Sequence, residues 1–334
     1  MTASAYPVRR FLRSAAGLGC LVALATAGCS TDTDAASDAA PSQTSAVTSY
    51  APYVSATEAS DTDSAGAPTT YNLAFVISDG GSCTPKWDGT TAIDDSAAAS
   101  RISALKEGGA RVRVSFGGAS GEELAEVCDS AEELAAAYGD ALDAAGSTQA
   151  DFDIEGDALT HSDAVELRSE AIALLQEERG EVTVAFTLPV MPSGLDDDAL
   201  ALLESANNSA VRVSTVNLMT MNYAESYDGD MGDYAITSAK AAHTQLRDVF
   251  DTSAATAWGG MALTSMIGTN DVAGETFTLS DAAQLRAFAV EKGIGWVSMW
   301  ATFRDRECTG DADALVDCSG VEQSSGAFGE ALAG

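Results

Sequence analysis

The sequence predicts an α/β fold, a (β/α)8 TIM barrel forming a single catalytic domain, on three observations. From about Tyr50 onward, short apolar runs alternate with longer stretches of helix-forming residues, the pattern of parallel strands joined by crossover helices. Eight such runs fit into about 285 residues, the size of a barrel of this kind. The alternative, a doubly wound open sheet, usually carries a glycine-rich phosphate loop after its first strand, and none follows here; no repeat points to a solenoid.

The expected strands are 50–56, 71–78, 111–118, 149–155, 182–190, 213–223, 260–267 and 295–303. Between them lie Ala-, Leu- and Glu-rich stretches, clearest at 131–145, 163–178 and 280–292, with apolar residues three and four apart. Ser280-Asp281 reads as a helix start and Lys292-Gly293 as a stop. A barrel of this type keeps its chemistry at the carboxyl ends of the strands.

Ahead of the barrel, Arg9, Arg10 and Arg13 precede an apolar run over 15–27 that is too short to span a bilayer. Residues 1–28 read as a secretory signal. The run ends Thr26-Ala27-Gly28-Cys29, resembling a lipoprotein cleavage site with Cys29 as the lipidated residue. Thr26 replaces the usual leucine, so cleavage by ordinary signal peptidase stays open, and Arg9-Arg10 has a partial likeness to a twin-arginine signal. Residues 29–48, rich in Ser, Thr, Ala and Asp, read as a flexible linker, and 49–334 as the barrel. The expectation is an exported protein, at the cell surface or outside the cell, touching a membrane only through the lipid. Export leaves Cys83, Cys128, Cys308 and Cys318, an even set that suggests two disulfides. Three pairings are open. Cys308 and Cys318 close a short loop, which favours Cys308–Cys318 with Cys83–Cys128. Zinc is the weaker reading, because no Cys-x-x-Cys spacing occurs.

Fifty acidic against 17 basic residues give a net charge of −33. Such a chain lacks the basic patches that nucleic acid or anionic lipid requires. Two histidines, His161 and His243, leave little room for histidine catalysis or a multi-histidine metal site. Carboxylates are therefore the place to look.

The fourth strand reads Asp151-Phe152-Asp153-Ile154-Glu155. Residues two apart share a face, so Asp151, Asp153 and Glu155 are expected to point into the barrel, with Phe152 and Ile154 facing the helices. Crowded, buried carboxylates push one another's proton affinities apart and leave one protonated near neutrality. Glu155, nearest the strand end, is placed to reach a substrate.

These residues resemble glycoside hydrolase family 18, the chitinases and their relatives. The family motif Asp-x-x-Asp-x-Asp-x-Glu matches the stretch from Thr148 to Glu155 in its last three acids, with Thr148 replacing the first Asp. Ser115-Phe116-Gly117-Gly118 matches the family's Ser-x-Gly-Gly on strand three, and Trp300 ends strand eight where the family places a tryptophan under the sugar. The resemblance implies retaining hydrolysis of β-1,4-linked N-acetylglucosamine polymers in which the substrate's own acetamide is the nucleophile. Glu155 would be the acid and base, Asp153 would orient the N-acetyl group, Asp151 would share a proton with it, and Ser115 would bond within that network. No metal or other cofactor is implied, and the protein is expected to act as a monomer on a carbohydrate containing N-acetylglucosamine.

Strand six departs from the family's Met-x-Tyr-Asp. Met221 stands at the tyrosine and Asn222 at the aspartate, with Tyr223 next. Alternation along the strand would bring the Tyr223 phenol near the acetamide, and Asn222 would remove a negative charge. Met219, Trp258 and Trp296 are expected to pack, while Trp87 is a candidate for a distal sugar. Two rival functions share the acidic motif, an endo-β-N-acetylglucosaminidase acting on glycoprotein glycans and a non-hydrolytic chitooligosaccharide-binding lipoprotein.

Overall fold

The computed structural model describes residues 47–334. Residues 1–28, Cys29 and most of the 29–48 linker lie outside the described residues. Within them, eight parallel strands close into the expected barrel. The first, β1, comes in two pieces, Ser49–Tyr50 and Tyr53–Ser55. It is followed by β2 Thr70–Ser78, β3 Arg111–Gly117, β4 Gln149–Asp153, β5 Thr183–Pro189, β6 Val213–Met219, β7 Met261–Met266 and β8 Trp296–Trp300.

Closure depends on the break in β1. Its first piece pairs with β8, Ser49 opposite Trp296, and its second with β2, Tyr53 opposite Asn72. Pro52 lies between, where it has no N–H to offer a ladder; its carbonyl accepts from the Asn72 N–H at 2.9 Å. One short strand thus switches neighbours and leaves no free edge between β8 and β2.

The main helices are α1 Ser96–Lys106, α2 Ala131–Ala145, α3 Ser162–Glu178, α4 Asp197–Asn208, α5 Met231–Val249, α6 Leu279–Lys292 and α7 Ala327–Ala333. Their ends follow capping chemistry. Ser130 caps α2 at the Glu133 N–H, and Gly146 ends it in the left-handed region. The start of α6 lies slightly earlier than the sequence suggests, because Thr278, not Ser280, is the cap and forms a reciprocal box with Asp281; Gly293 is the stop.

Between barrel and helices, the outward residues of adjacent strands pack in register. Phe116, Phe152 and Phe186 lie side by side on β3, β4 and β5, and Tyr138 of α2 meets Phe116 and Phe152 at 4.8 and 4.9 Å between ring centres. Inside the barrel, Trp296 packs with three small residues, Ala51, Ala185 and Ala262, whose size leaves space for the indole.

Three expected strands end early. β4 stops at Asp153, β6 at Met219 and β8 at Trp300. The apolar pattern continues past those points because the departing chain still lines a buried wall, with Ile154, Met221 and Ala301 all inaccessible or nearly so. Cys83 is bonded to Cys128 and Cys308 to Cys318, the favoured pairing. The first bond ties the loop after β2 to the loop after β3, and the second closes the connection after β8. Both therefore hold loops at the carboxyl end of the barrel.

Candidate active site

At the end of β3 the chain turns on Gly117 and Gly118, both at positive φ (95° and 93°). A Cβ on Gly117 would overlap the Asp153 carbonyl oxygen, and one on Gly118 would come within 2.8 Å of the Phe75 ring. The Gly118 N–H donates to the Asp153 carbonyl at 2.9 Å. Two glycines thus let β3 close over the end of β4 and fix where the acidic strand stops.

Asp151 and Asp153 point into the barrel and are buried, as strand alternation requires. Asp151 accepts three hydroxyl hydrogen bonds, from Tyr53 at 2.8 Å, Ser115 at 2.5 Å and Thr187 at 2.7 Å. Behind these, Asn217 donates to Thr187 at 3.0 Å and accepts from Thr264 at 2.9 Å. The network draws on β1, β3, β5, β6 and β7. Ser115 is fully buried and serves Asp151 directly.

Asp153 is the opposite case. It is buried, yet its Oδ1 has no hydrogen-bond partner. Burial, then the charges of Glu155 and Asp151, raise its proton affinity well above that of an ordinary carboxylate. Asp151 is also raised by burial, but its three hydroxyl donors and Arg113 pull it back. Glu155 lies just beyond β4, before the turn at Gly156. Burial first, and the Asp271 charge second, raise its pKa to about 7, so it holds a proton up to neutrality.

Asp271 was not singled out from the sequence. It sits in the loop after β7, inside the short ribbon Gly268–Thr269 with Thr276–Phe277. Asn222, at φ 54°, donates to its carboxylate at 2.9 Å and accepts from the Asp271 N–H at 3.1 Å. A carboxylate from the loop after β7 therefore stands beside Asn222, restoring to the pocket the negative charge that Asn222 itself lacks. No local motif announces this, because the two residues meet only in the fold.

Tyr223 corrects the sequence reading. β6 ends at Met219, and the left-handed turn at Asn222 breaks the alternation that would have aimed Tyr223 inward. Its ring packs with Tyr227 and Tyr234, its hydroxyl faces Ser238 of α5, and burial raises its pKa further. The phenol at the site comes from Tyr53 of β1 instead. Met221 and Asn222 do line the pocket with Glu155 and Asp153, and Met219 joins them instead of packing elsewhere. Trp87 is also corrected, being fully buried and bonded to the Ile93 carbonyl, out of reach of a ligand.

Trp300 is half-exposed at the pocket. Its ring stacks on Phe75 at 5.4 Å and meets Tyr53 and Phe303 edge-on. It presents the flat apolar surface that a sugar ring's C–H face fits. Phe75 and Trp300 also line a second hollow of about 470 Å³, together with residues such as Thr57, Asp88 and Arg306. Among the described residues, no group of three His, Cys, Asp or Glu is arranged to hold a metal ion.

The carboxyl end of the closed barrel thus gathers a glutamate of raised pKa, a buried aspartate pair and an aromatic face, the parts a glycoside hydrolase site uses. Comparison with known proteins agrees. The chain is 34% identical over 275 residues to the probable bifunctional chitinase/lysozyme of Escherichia coli, a match covering 77% of this chain and 31% of that protein. It is 33% identical to endochitinase 11 of Metarhizium anisopliae over 77% of this chain and 52% of that protein. The chain thus spans about a third and about half of these two relatives. The crystal structure of the catalytic domain of a hyperthermophilic chitinase from Pyrococcus furiosus superimposes with a TM-score of 0.73 at 30% identity, covering 85% of this chain and 93% of that one. No family model matches the chain. The chain belongs to the chitinase-like enzymes of glycoside hydrolase family 18.

Proposed function

We propose that the enzyme hydrolyses β-1,4-linked N-acetylglucosamine polymers, chitin or chitooligosaccharides, with retention and with the substrate acetamide as nucleophile. The observation that carries this reading is one pocket that brings Glu155, whose pKa burial raises to about 7, together with a buried Asp153 oxygen that lacks a partner. The Glu155 proton goes to the glycosidic oxygen as the bond to the anomeric carbon breaks. The unpartnered Asp153 oxygen accepts the acetamide N–H and turns the acetamide oxygen toward that carbon. Ring closure gives an oxazolinium ion, whose positive charge the aspartates stabilise. Glu155, now a carboxylate, takes a proton from water as it opens the ring on the face the leaving group left, regenerating the acid. Trp300 supports the ring beneath.

The chitinase names of the relatives support this substrate class. The two disulfides favour an oxidising compartment and so the proposal of an exported protein; from the sequence alone we further propose a lipid anchor at Cys29 and action as a monomer. The test is incubation with an N-acetylglucosamine hexamer followed by mass analysis. Shorter oligomers from the parent and none from Glu155→Gln are expected. Cleavage surviving in Glu155→Gln would remove Glu155 from its role.

A further inference from the structure

Arg113 lies on β3, two residues before Ser115, and so faces the barrel interior beneath the acidic strand. It is buried. Its guanidinium donates to two neutral amides, Asn72 at 2.6 Å and Gln149 at 3.2 Å, and lies 4.0 Å over the Trp296 ring. Asn72 is in turn fixed to the Ala51 carbonyl at 2.8 Å. Among the described residues Arg113 makes no ion pair. A full positive charge inside a barrel without a paired anion is unfavourable unless a nearby charge offsets it.

The complementary charge is one layer up. Asp151 sits opposite Ser115 in the β3–β4 register. It is held by three hydroxyls, all donating, an arrangement that suits a carboxylate with no proton of its own. Neither Asp151 nor Arg113 makes an ion pair among the described residues, and each acts on the other by charge across one layer of the barrel. The remaining titratable or charged groups facing the pair are Tyr53 from β1, Asp153 from β4 and Arg111 from β3. β2, β5, β6, β7 and β8 present Asn72, Thr187, Asn217, Thr264 and Trp296, none of which carries charge.

We propose that Arg113 is a positioning residue for the reaction, the buried counter-charge that keeps Asp151 an anion and so leaves the inner proton on Asp153, beside Glu155. This rests on the proposed function above. With Arg113 neutralised, Asp151 competes for the proton and Asp153 becomes charged more often. The negative charge thus moves from Asp151 to Asp153, whose charge Glu155 feels, and raises the Glu155 pKa.

The test is the pH profile of kcat/KM on the hexamer for the parent, Arg113→Gln and Arg113→Lys, with melting temperatures. Arg113→Gln is expected to move both limbs upward by roughly half a unit to one unit, and Arg113→Lys to restore the parent profile. Coincident profiles with only a lowered melting temperature would overturn the proposal. A stability cycle with Asp151→Asn serves even where Arg113→Gln folds poorly or the parent proves inactive on this substrate. The combined variant is expected to recover melting temperature relative to Arg113→Gln, since neither charge is left alone. Strictly additive losses would show that Arg113 acts by packing only.

Discussion

Ionising Glu155 destabilises the folded chain, because the carboxylate loses hydration in the pocket and faces Asp271. Its folded pKa of about 7 lies above the ordinary value of 4.5, so between those two pH values the folded state binds more protons than the unfolded one. Stability therefore falls as pH rises through that window. Glu155→Gln should lower kcat at least about a thousandfold yet raise the melting temperature at pH 8, equivalent to about 1–3 kcal/mol, with little change at pH 4. Calorimetry at the two pH values checks it. Asp271→Asn should move the alkaline limb of the kcat profile to lower pH, since it removes one of the two causes that raise Glu155. The acids of β4 were legible in the sequence because their two-residue spacing is a local property of a strand. Tyr53 and Asp271 were not, since only barrel closure and the loop after β7 bring them in. Tyr223 was misplaced because a pattern of alternate residues does not reveal a left-handed residue such as Asn222.

At the scale of elements, the sequence located all eight strands but overran three of them at the carboxyl end. The overrun has one cause. Ile154 stays buried in the core and Met221 in the pocket wall after the ladder has stopped, and apolar character reports burial, not hydrogen bonding. The loops at that end gain rigidity from covalent ties. The Cys83–Cys128 bond spans 45 residues and joins the loops after β2 and β3, the second of which carries Gly118 and Ala119 past the pocket. Replacing both cysteines with serine should cost about 2–4 kcal/mol of stability and raise KM more than it lowers kcat. Denaturant unfolding and steady-state kinetics on the same preparation check both parts. A change in kcat alone would mean that the bond acts on the acid strand and not on the loops.

For the whole molecule, a net charge of −33 on 334 residues means that folding concentrates negative charge. Self-repulsion of this kind is screened by salt. The melting temperature should rise steadily between 0.05 and about 1 M NaCl, while the pattern of products stays constant, because the buried aspartates are little affected by screening. Thermal melts and product analysis across that range check the two halves separately. The scarcity of histidine in the same composition pointed to carboxylate chemistry, and the barrel arranges three of those carboxylates at its carboxyl end as Asp151, Asp153 and Glu155. The measurement that tests the proposed chemistry most directly is the anomeric form of the first products from the N-acetylglucosamine hexamer, followed by proton NMR faster than mutarotation. Attack by the acetamide and then by water predicts β-anomers at the earliest times, relaxing later to the equilibrium mixture. Initial α-anomers would mean a single inverting displacement by water, and would contradict the roles assigned to Asp153 and to the substrate's own acetamide.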